Sequence, residues 1–471
     1  MSYVLTSPQL MTTAAADLEA VDASIGAAQA AAAGSTSGVV AAGRDEVSAA
    51  VAAVFGAYGR AYRRAVEEAA AFHAEFTRAL AAAGNAYAHA EAANAALLSG
   101  QTPIGSAAAP PLTALIMGGT GNSAPAPGYI GSVNTSYIQT LFPGAIPQGL
   151  FTPEQFWPFT FGLGDLKIGQ SVAAGVPLLD SAIRAQLGAG NDVVVFGYSQ
   201  SAAVATDEIR ALAALPAALR PDPSRLSFVL TADPNNPDGG LLERFPGFYL
   251  PFLDMSFNGA TPPNSPFPTS IYTSQYDGIA DAPQYPFNFL TDLNAFMGDL
   301  YAHDYAGFTP TQIATAQPLP VSPGYTGDTH YYMVLTQHLP LLAPIRGIPF
   351  VGPPIADLVQ PDLRVLVDLG YGNYGPGGDY ANVPTPARLF QVIDPFTVGA
   401  DLAIGAVQGP QAALVDVGLL PPSCLPDAYP YLPSADPGLS LNLGQPSVTG
   451  LSLLSGALGS IFRLIPPGPY C

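Results

Sequence analysis

The run Val193-Val-Val-Phe-Gly-Tyr-Ser-Gln-Ser-Ala-Ala-Val-Ala-Thr206 constrains this chain more than any other stretch. Four consecutive apolar residues, Val193 to Phe196, predict a buried strand. Gly197-Tyr198-Ser199-Gln200-Ser201 follows at once and predicts a sharp turn. A small-residue helix then runs from Ala202 through Val204 and Ala205 to Ile209 and Leu212. A strand, a tight turn with a central serine, and a helix form the nucleophile-elbow arrangement. The serine backbone in such a turn is strained, and the helix packs close to the strand, so small neighbours are needed. Gly197 and Ser201 meet that need, with Ser201 where G-x-S-x-G has its second glycine. The competing reading is a serine capping an ordinary βα turn.

The flanking patterns extend the same architecture. Leu112-Thr-Ala-Leu-Ile-Met117, Leu226-Ser-Phe-Val-Leu230 and Ser270-Ile-Tyr-Thr-Ser274 read as further strands. Val172, Val176, Leu179, Ile183 and Leu187 sit at helical spacing, and Gly188 and Gly190 end that helix. Helix, strand, elbow, helix is a βαβ rhythm, so the expected class is α/β with a mainly parallel sheet.

A serine hydroxyl is a poor nucleophile at neutral pH. It needs a histidine to take its proton and a carboxylate to orient that histidine. On α/β-hydrolase sheets the chain order is Ser, acid, His. Asp277 lies just past the strand ending at Ser274, two strands after the elbow strand, and is the expected acid; Asp281 and Asp233 are its rivals. Of five histidines, His73 and His89 precede the elbow, leaving His303, His330 and His338. His303 follows a helix expected from Phe289, Leu293, Phe296 and Leu300, and is preferred over the other two. The Gly118-Gly-Thr-Gly121 turn after the first strand lets backbone approach a ligand closely. Gly119 and Thr120 are the expected oxyanion donors, with the N–H of Gln200. The rival reading of that turn, a phosphate site, lacks both a P-loop lysine and a full dinucleotide fingerprint.

Composition closes off other classes. With 35 acidic and 15 basic residues the net charge is −20, which argues against nucleic acid as a partner. Only two cysteines, Cys424 and Cys471, are present, with no metal spacing and no disulfide framework. No metal or cofactor is expected. The N-terminus lacks the basic and apolar regions of a signal peptide, and no apolar run reads as a membrane span.

Residues 1–98 are Ala-rich. Pro8 suits a first helical turn, with Ser7 as N-cap. Met11, Ala14, Leu18, Val21 and Ile25 mark one helix face; Val47, Val51, Val54, Tyr58 and Tyr62 mark the start of a longer second one. The expectation is a helical hairpin too thin to bury its own stripes, and so in need of a partner. The start Met1-Ser-Tyr-Val-Leu, then Pro8 and this hairpin, resembles the PE domain of mycobacteria, although Gln9 stands where that family has Glu. Tyr87-Ala-His-Ala-Glu91 resembles the Tyr-x-x-x-Asp/Glu export signal of type VII secretion substrates. Tyr87 and Glu91 share a helix face. The resemblance implies pairing with a PPE protein and export to the cell envelope by the type VII machinery.

Residues 99–110 have linker composition. From 111 to 375 the chain resembles the PE-PPE domain, an α/β serine hydrolase. The resemblance is carried by Gly-Tyr-Ser-Gln-Ser at 197–201, Gln-Tyr-Asp-Gly at 275–278, Ser322-Pro-Gly-Tyr-Thr-Gly327 and Gln360-Pro-Asp-Leu-Arg364. That family's His-x-x-Tyr segment appears as His303-Asp-Tyr305, one residue shorter. The Gly-Tyr-Ser-Gln core is also similar to cutinases. The implied function is an exported esterase of acyl esters, or an acyltransferase on envelope trehalose glycolipids; a catalytically inactive surface protein is the alternative of another class. Residues 376–471 are rich in Pro and Gly and are expected to pack on the hydrolase, with a helix through Phe396–Leu420 broken at Pro410.

Overall fold

The computed structural model describes residues 110–444 and 446–467, with the isolated residues Gly43, Ser48, Ala52 and Gly56. The chain divides into two units, 1–108 and 109–471. The expected hairpin over 1–98, the Tyr87/Glu91 signal and Cys471 lie outside the described residues.

The second unit is built on a seven-stranded sheet in the order β2-β1-β3-β4-β7-β9-β8. Its strands are β1 (Leu112–Ile116), β2 (Ile146–Gly149), β3 (Asp192–Tyr198), β4 (Leu226–Thr231), β7 (Thr269–Ser274), β8 (Gln317–Pro318) and β9 (Thr329–Val334). All neighbours are parallel except β8, which pairs antiparallel with β9 at the edge. Between β4 and β7 the chain makes a separate short hairpin, β5 (Tyr249–Leu250) and β6 (Met255–Ser256).

The central strands carry unbroken apolar runs, Val193–Phe196 in β3 and Phe228–Leu230 in β4, because both faces are covered. Val193 and Val195 point into a core with Leu115, Phe228, Ile271, Leu179, Ile183 and Ile209. Val194 and Phe196 point into the opposite core with Ile116, Val229, Tyr137 and Tyr272. Each such side chain contributes roughly 1.5–3 kcal/mol of burial.

On the first face lie α1 (Ile168–Gly188) and α2 (Gln200–Ala214). They approach closely: a Cβ on Gly175 would sit 2.9 Å from Val204. The left-handed Gly190, φ +89°, follows the end of α1, and Pro216 lies two residues past the end of α2. The remaining helices that matter here are α3 (Leu241–Arg244), α4 (Phe289–Tyr301), α5 (Gly352–Asp368), α6 (Pro395–Asp416) and α7 (Gly450–Phe462).

One expectation needs correction. The helix through Phe396–Leu420 is not broken at Pro410: α6 runs unbroken from Pro395 to Asp416. It lies flat on α5, where a Cβ on Gly405 would be 2.2 Å from Asp362 and one on Gly409 2.1 Å from the Leu358 carbonyl. Tertiary packing at those glycines offsets the hydrogen bond that Pro410 cannot donate. The stripe Phe289, Leu293, Phe296 and Leu300 does lie on a helix, but faces outward at 78, 49, 60 and 63% exposure. The buried face of α4 is Thr291, Asn294, Ala295 and Gly298.

No helix among the described residues is long and apolar enough to cross a membrane.

Candidate active site

Ser199 sits at the tip between β3 and α2 with φ +56° and ψ −116°, a conformation an L-residue adopts only under constraint. The turn is tight because Gly197 leaves no Cβ: one would lie 2.9 Å from the Ser201 carbonyl. Ser201, fully buried, then clamps it. Its Oγ accepts from the Tyr198 N–H at 2.9 Å and donates to the Tyr198 carbonyl at 3.1 Å. A glycine there would make neither bond.

His303, one residue past the C-cap of α4, turns its ring onto this serine. Its Nε2 is 2.9 Å from Ser199 Oγ, and its Nδ1 is 2.9 and 3.0 Å from the two oxygens of Asp277. The Tyr198 hydroxyl donates to the His303 carbonyl and fixes the loop from below. Asp277, just past β7, is fully buried and over-determined: the Ile279 N–H donates to one oxygen at 3.0 Å and the Tyr305 hydroxyl to the other at 2.7 Å. Tyr305 in turn accepts the Ser274 N–H. Burial pulls the imidazole pKa of His303 down, but the negative charge of Asp277, its hydrogen bond, and Asp299 and Asp304 together outweigh that, so the net shift is upward.

The rival groups are employed elsewhere. Asp233 accepts from Thr261 and the Asn235 N–H, and Asp281 from the Tyr276 N–H. Burial pushes their carboxyls up to about 6 and about 7. His330 lies on β9, mostly exposed, 3.4 Å from Asp328. His338 follows β9 near Gln360, its pKa lowered by burial and by Arg346. Neither hydrogen-bonds Ser199.

On the other side of Ser199 stand the proposed oxyanion donors. Thr120 Oγ1 donates to Gln200 Oε1 at 2.9 Å, and Gln200 Nε2 donates to the Gln155 carbonyl and Ser171 Oγ. The Gln200 side chain is thus tied down, and its backbone N–H lies in the first turn of α2, where N–H groups have no partner within the helix. Thr120 and Gln200 line the same cavity as Ser199; Gly119 lies against the Tyr198 ring, 2.8 Å from where its Cβ would be, and is not part of that lining. Next to this loop, burial pushes the Glu154 carboxyl up to about 8.

The cavity has a volume of about 600 Å³. Its walls are mainly apolar, among them Ile168, Val172, Leu241, Leu242 and Met255. Such an arrangement can deprotonate a hydroxyl, stabilise an oxyanion and hold an apolar group beside both. Sequence reasoning missed Tyr305 as the support of Asp277, Ser171 as the anchor of Gln200, and the α3 leucines. A tyrosine two residues after His303 was the only visible signal of the three. No grouping of His, Cys, Asp and Glu among the described residues could hold a metal ion.

Comparison with known proteins gives two family matches: residues 4–94 match the PE family and residues 143–372 the PE-PPE domain. The chain is 60% identical to the PE family protein PE3 of Mycobacterium tuberculosis, over 99% of this chain and 100% of that one. It is 48% identical to a protein of the same organism named esterase PE16, over 88% of this chain and 77% of the other. It is 34% identical to SL1278 acyltransferase Chp1, also from M. tuberculosis, over 46% of this chain and 52% of the other.

Proposed function

Because this chain belongs to the PE family, with a PE domain at 4–94 and a PE-PPE domain at 143–372, we propose that it is a serine esterase of acyl esters. The observation that carries this reading is the continuous run from Ser199 Oγ through the His303 ring to Asp277, with both links near 2.9 Å, opening on an apolar cavity. The similarity to esterase PE16 supports it.

Ser199 Oγ attacks the acyl carbonyl while His303 Nε2 takes its proton. Asp277 holds Nδ1–H and stabilises the imidazolium. The developing oxyanion takes hydrogen bonds from the backbone N–H of Gln200 and of Thr120. His303 returns the proton to the departing alkoxide, leaving the acyl group on Ser199. A second acceptor then enters, gives its proton to His303 and takes the acyl group, and His303 hands that proton back to the departing Ser199 Oγ. If that acceptor is water the reaction is hydrolysis; if it is a sugar hydroxyl, acyl transfer. The likeness to an acyltransferase favours keeping acyl transfer to a trehalose glycolipid as the second reading.

The PE domain implies export by the type VII machinery to the envelope or beyond, read through Tyr87 and Glu91, with a PPE protein paired to residues 1–98.

Ser199→Ala should lower turnover of p-nitrophenyl esters by about 10⁴-fold or more. Unchanged turnover would leave an inactive surface protein as the better account. A serine-reactive phosphonate, mapped by mass spectrometry, should label Ser199 alone. Product analysis with trehalose present separates the two acceptors.

A further inference from the structure

The cavity at Ser199 does not end at the PE-PPE match. Its lining includes Arg463, which lies 91 residues past the last matched position, 372. Arg463 follows α7, and its guanidinium carbon stands 5.1 Å from the Tyr249 ring centroid on the β5–β6 hairpin. Directly beside this cavity is a second one of about 330 Å³, and Leu241 lines both. One wall of the second is Phe245, Phe248 and Phe257; the other is Leu451, Leu454 and Leu458 of α7.

α7 contains no charged residue from Gly450 to Phe462. It is nonetheless pinned. A Cβ on Gly459 would lie 1.8 Å from the Gly247 carbonyl, Ser455 Oγ donates to the Pro246 carbonyl at 3.2 Å, and Thr449 caps the start by accepting the Ser452 N–H. Helix and hairpin meet backbone to backbone at the glycines, which leaves the leucine face standing off the phenylalanines with open space between. Leu454 and Leu458 are 54 and 37% exposed, so this space is an apolar groove open to solvent along one side, the kind of surface that marks a ligand's place.

The volumes set the size of the occupant. A methylene takes about the share of a water molecule, roughly 30 Å³, so the first cavity has room for an ester and a chain of on the order of a dozen carbons. Beyond that length only the second cavity, which shares Leu241, adds room. We propose that α7 is the far wall of an acyl-chain channel, and that the substrates are esters of long acyl chains, with Leu241 and Leu451 setting the length limit. This rests on the esterase reading above and adds the substrate class and the element that selects it.

The test uses the full chain and p-nitrophenyl esters from butyrate to palmitate, with the leaving group constant. The expected result is a kcat/KM at least about tenfold higher for laurate than for butyrate, each buried methylene adding its share. Leu451→Trp, which fills the second cavity, should lower the palmitate-to-octanoate ratio about tenfold. Leu241→Trp should shift the optimum to shorter chains. Ser199-dependent turnover that peaks at butyrate overturns the proposal and leaves the esterase reading standing. So does a flat acyl profile with length dependence appearing only when the alcohol is varied, which assigns the channel to the leaving group. A folded Leu451→Trp with an unchanged profile removes α7 from the channel. Should that variant not fold, the wild-type profile still decides. Absence of Ser199-dependent turnover on every ester sinks both readings together.

Discussion

The helix that leaves Ser199 and the helix that delivers His303 carry similar apolar spacing and use it in opposite ways. α2 turns Val204, Ile209 and Leu212 inward, each no more than 1% exposed. α4 turns Phe289, Leu293, Phe296 and Leu300 outward and buries Thr291, Asn294, Ala295 and Gly298. The difference follows from distance. α2 packs on side chains, whereas α4 packs on backbone: Gly298 leaves its Cβ site 1.8 Å from the Tyr276 carbonyl, and Thr291 Oγ1 donates to the Val367 carbonyl at 2.7 Å. Only small or hydrogen-bonding residues fit so close. That closeness sets the reach of the following turn, which must bring His303 to within 2.9 Å of Asp277. Periodicity marks a helix; which face is buried depends on how near its neighbour must come.

The comparison breaks first at Gly298. Gly298→Val places atoms inside the Tyr276 backbone, so α4 must lift and carry His303 away from the acid. Ester turnover should fall at least about 10²-fold, the cost of an ångström of misplacement, and phosphonate labelling of Ser199 should slow with it. If turnover survives, α4 does not position the base.

Ile209→Ala on α2 should destabilise by about 2–5 kcal/mol, the range for a buried aliphatic cut back to a cavity, measured as a shift in the denaturation midpoint. The same measurement on Phe296→Ser, on the outward face of α4, should stay within about 0.5 kcal/mol. Equal losses at the two positions would mean that the α4 stripe is covered.

Much of the sheet was legible because a strand covered on both faces has no reason to alternate, and Val193–Phe196 and Leu226–Leu230 show it. The Ser199, Asp277 and His303 trio was reached by chain order and by elimination among few histidines, and the geometry does bring those three together. What could not be read was everything set by approach distance. Gly405 and Gly409 let α6 run through Pro410 because another helix lies against them, and nothing local says so. Leu241 and Leu451 face one cavity although 210 positions separate them.

The smallest predicted effect on ester turnover is also the sharpest probe of how α4 hands over to the site. Tyr305 sits two residues beyond His303 and donates to Asp277 Oδ2, so one short loop holds both His303 and the support of Asp277. Tyr305→Phe removes one hydroxyl and leaves the ring between Tyr198 and Phe308. Asp277 keeps the Ile279 N–H, so turnover should fall only about tenfold, near 1.4 kcal/mol. The acid limb of the pH profile is the second readout. As the proposed general base His303 must be neutral, and its pKa is raised, so wild-type kcat/KM should be full at alkaline pH and fall as pH drops through a midpoint above that of a free imidazole. A merely structural tyrosine would alter the melting temperature and leave that midpoint in place. A tyrosine that orders the acid should move it, because the Asp277 charge that raises His303 would be held less firmly in line with Nδ1.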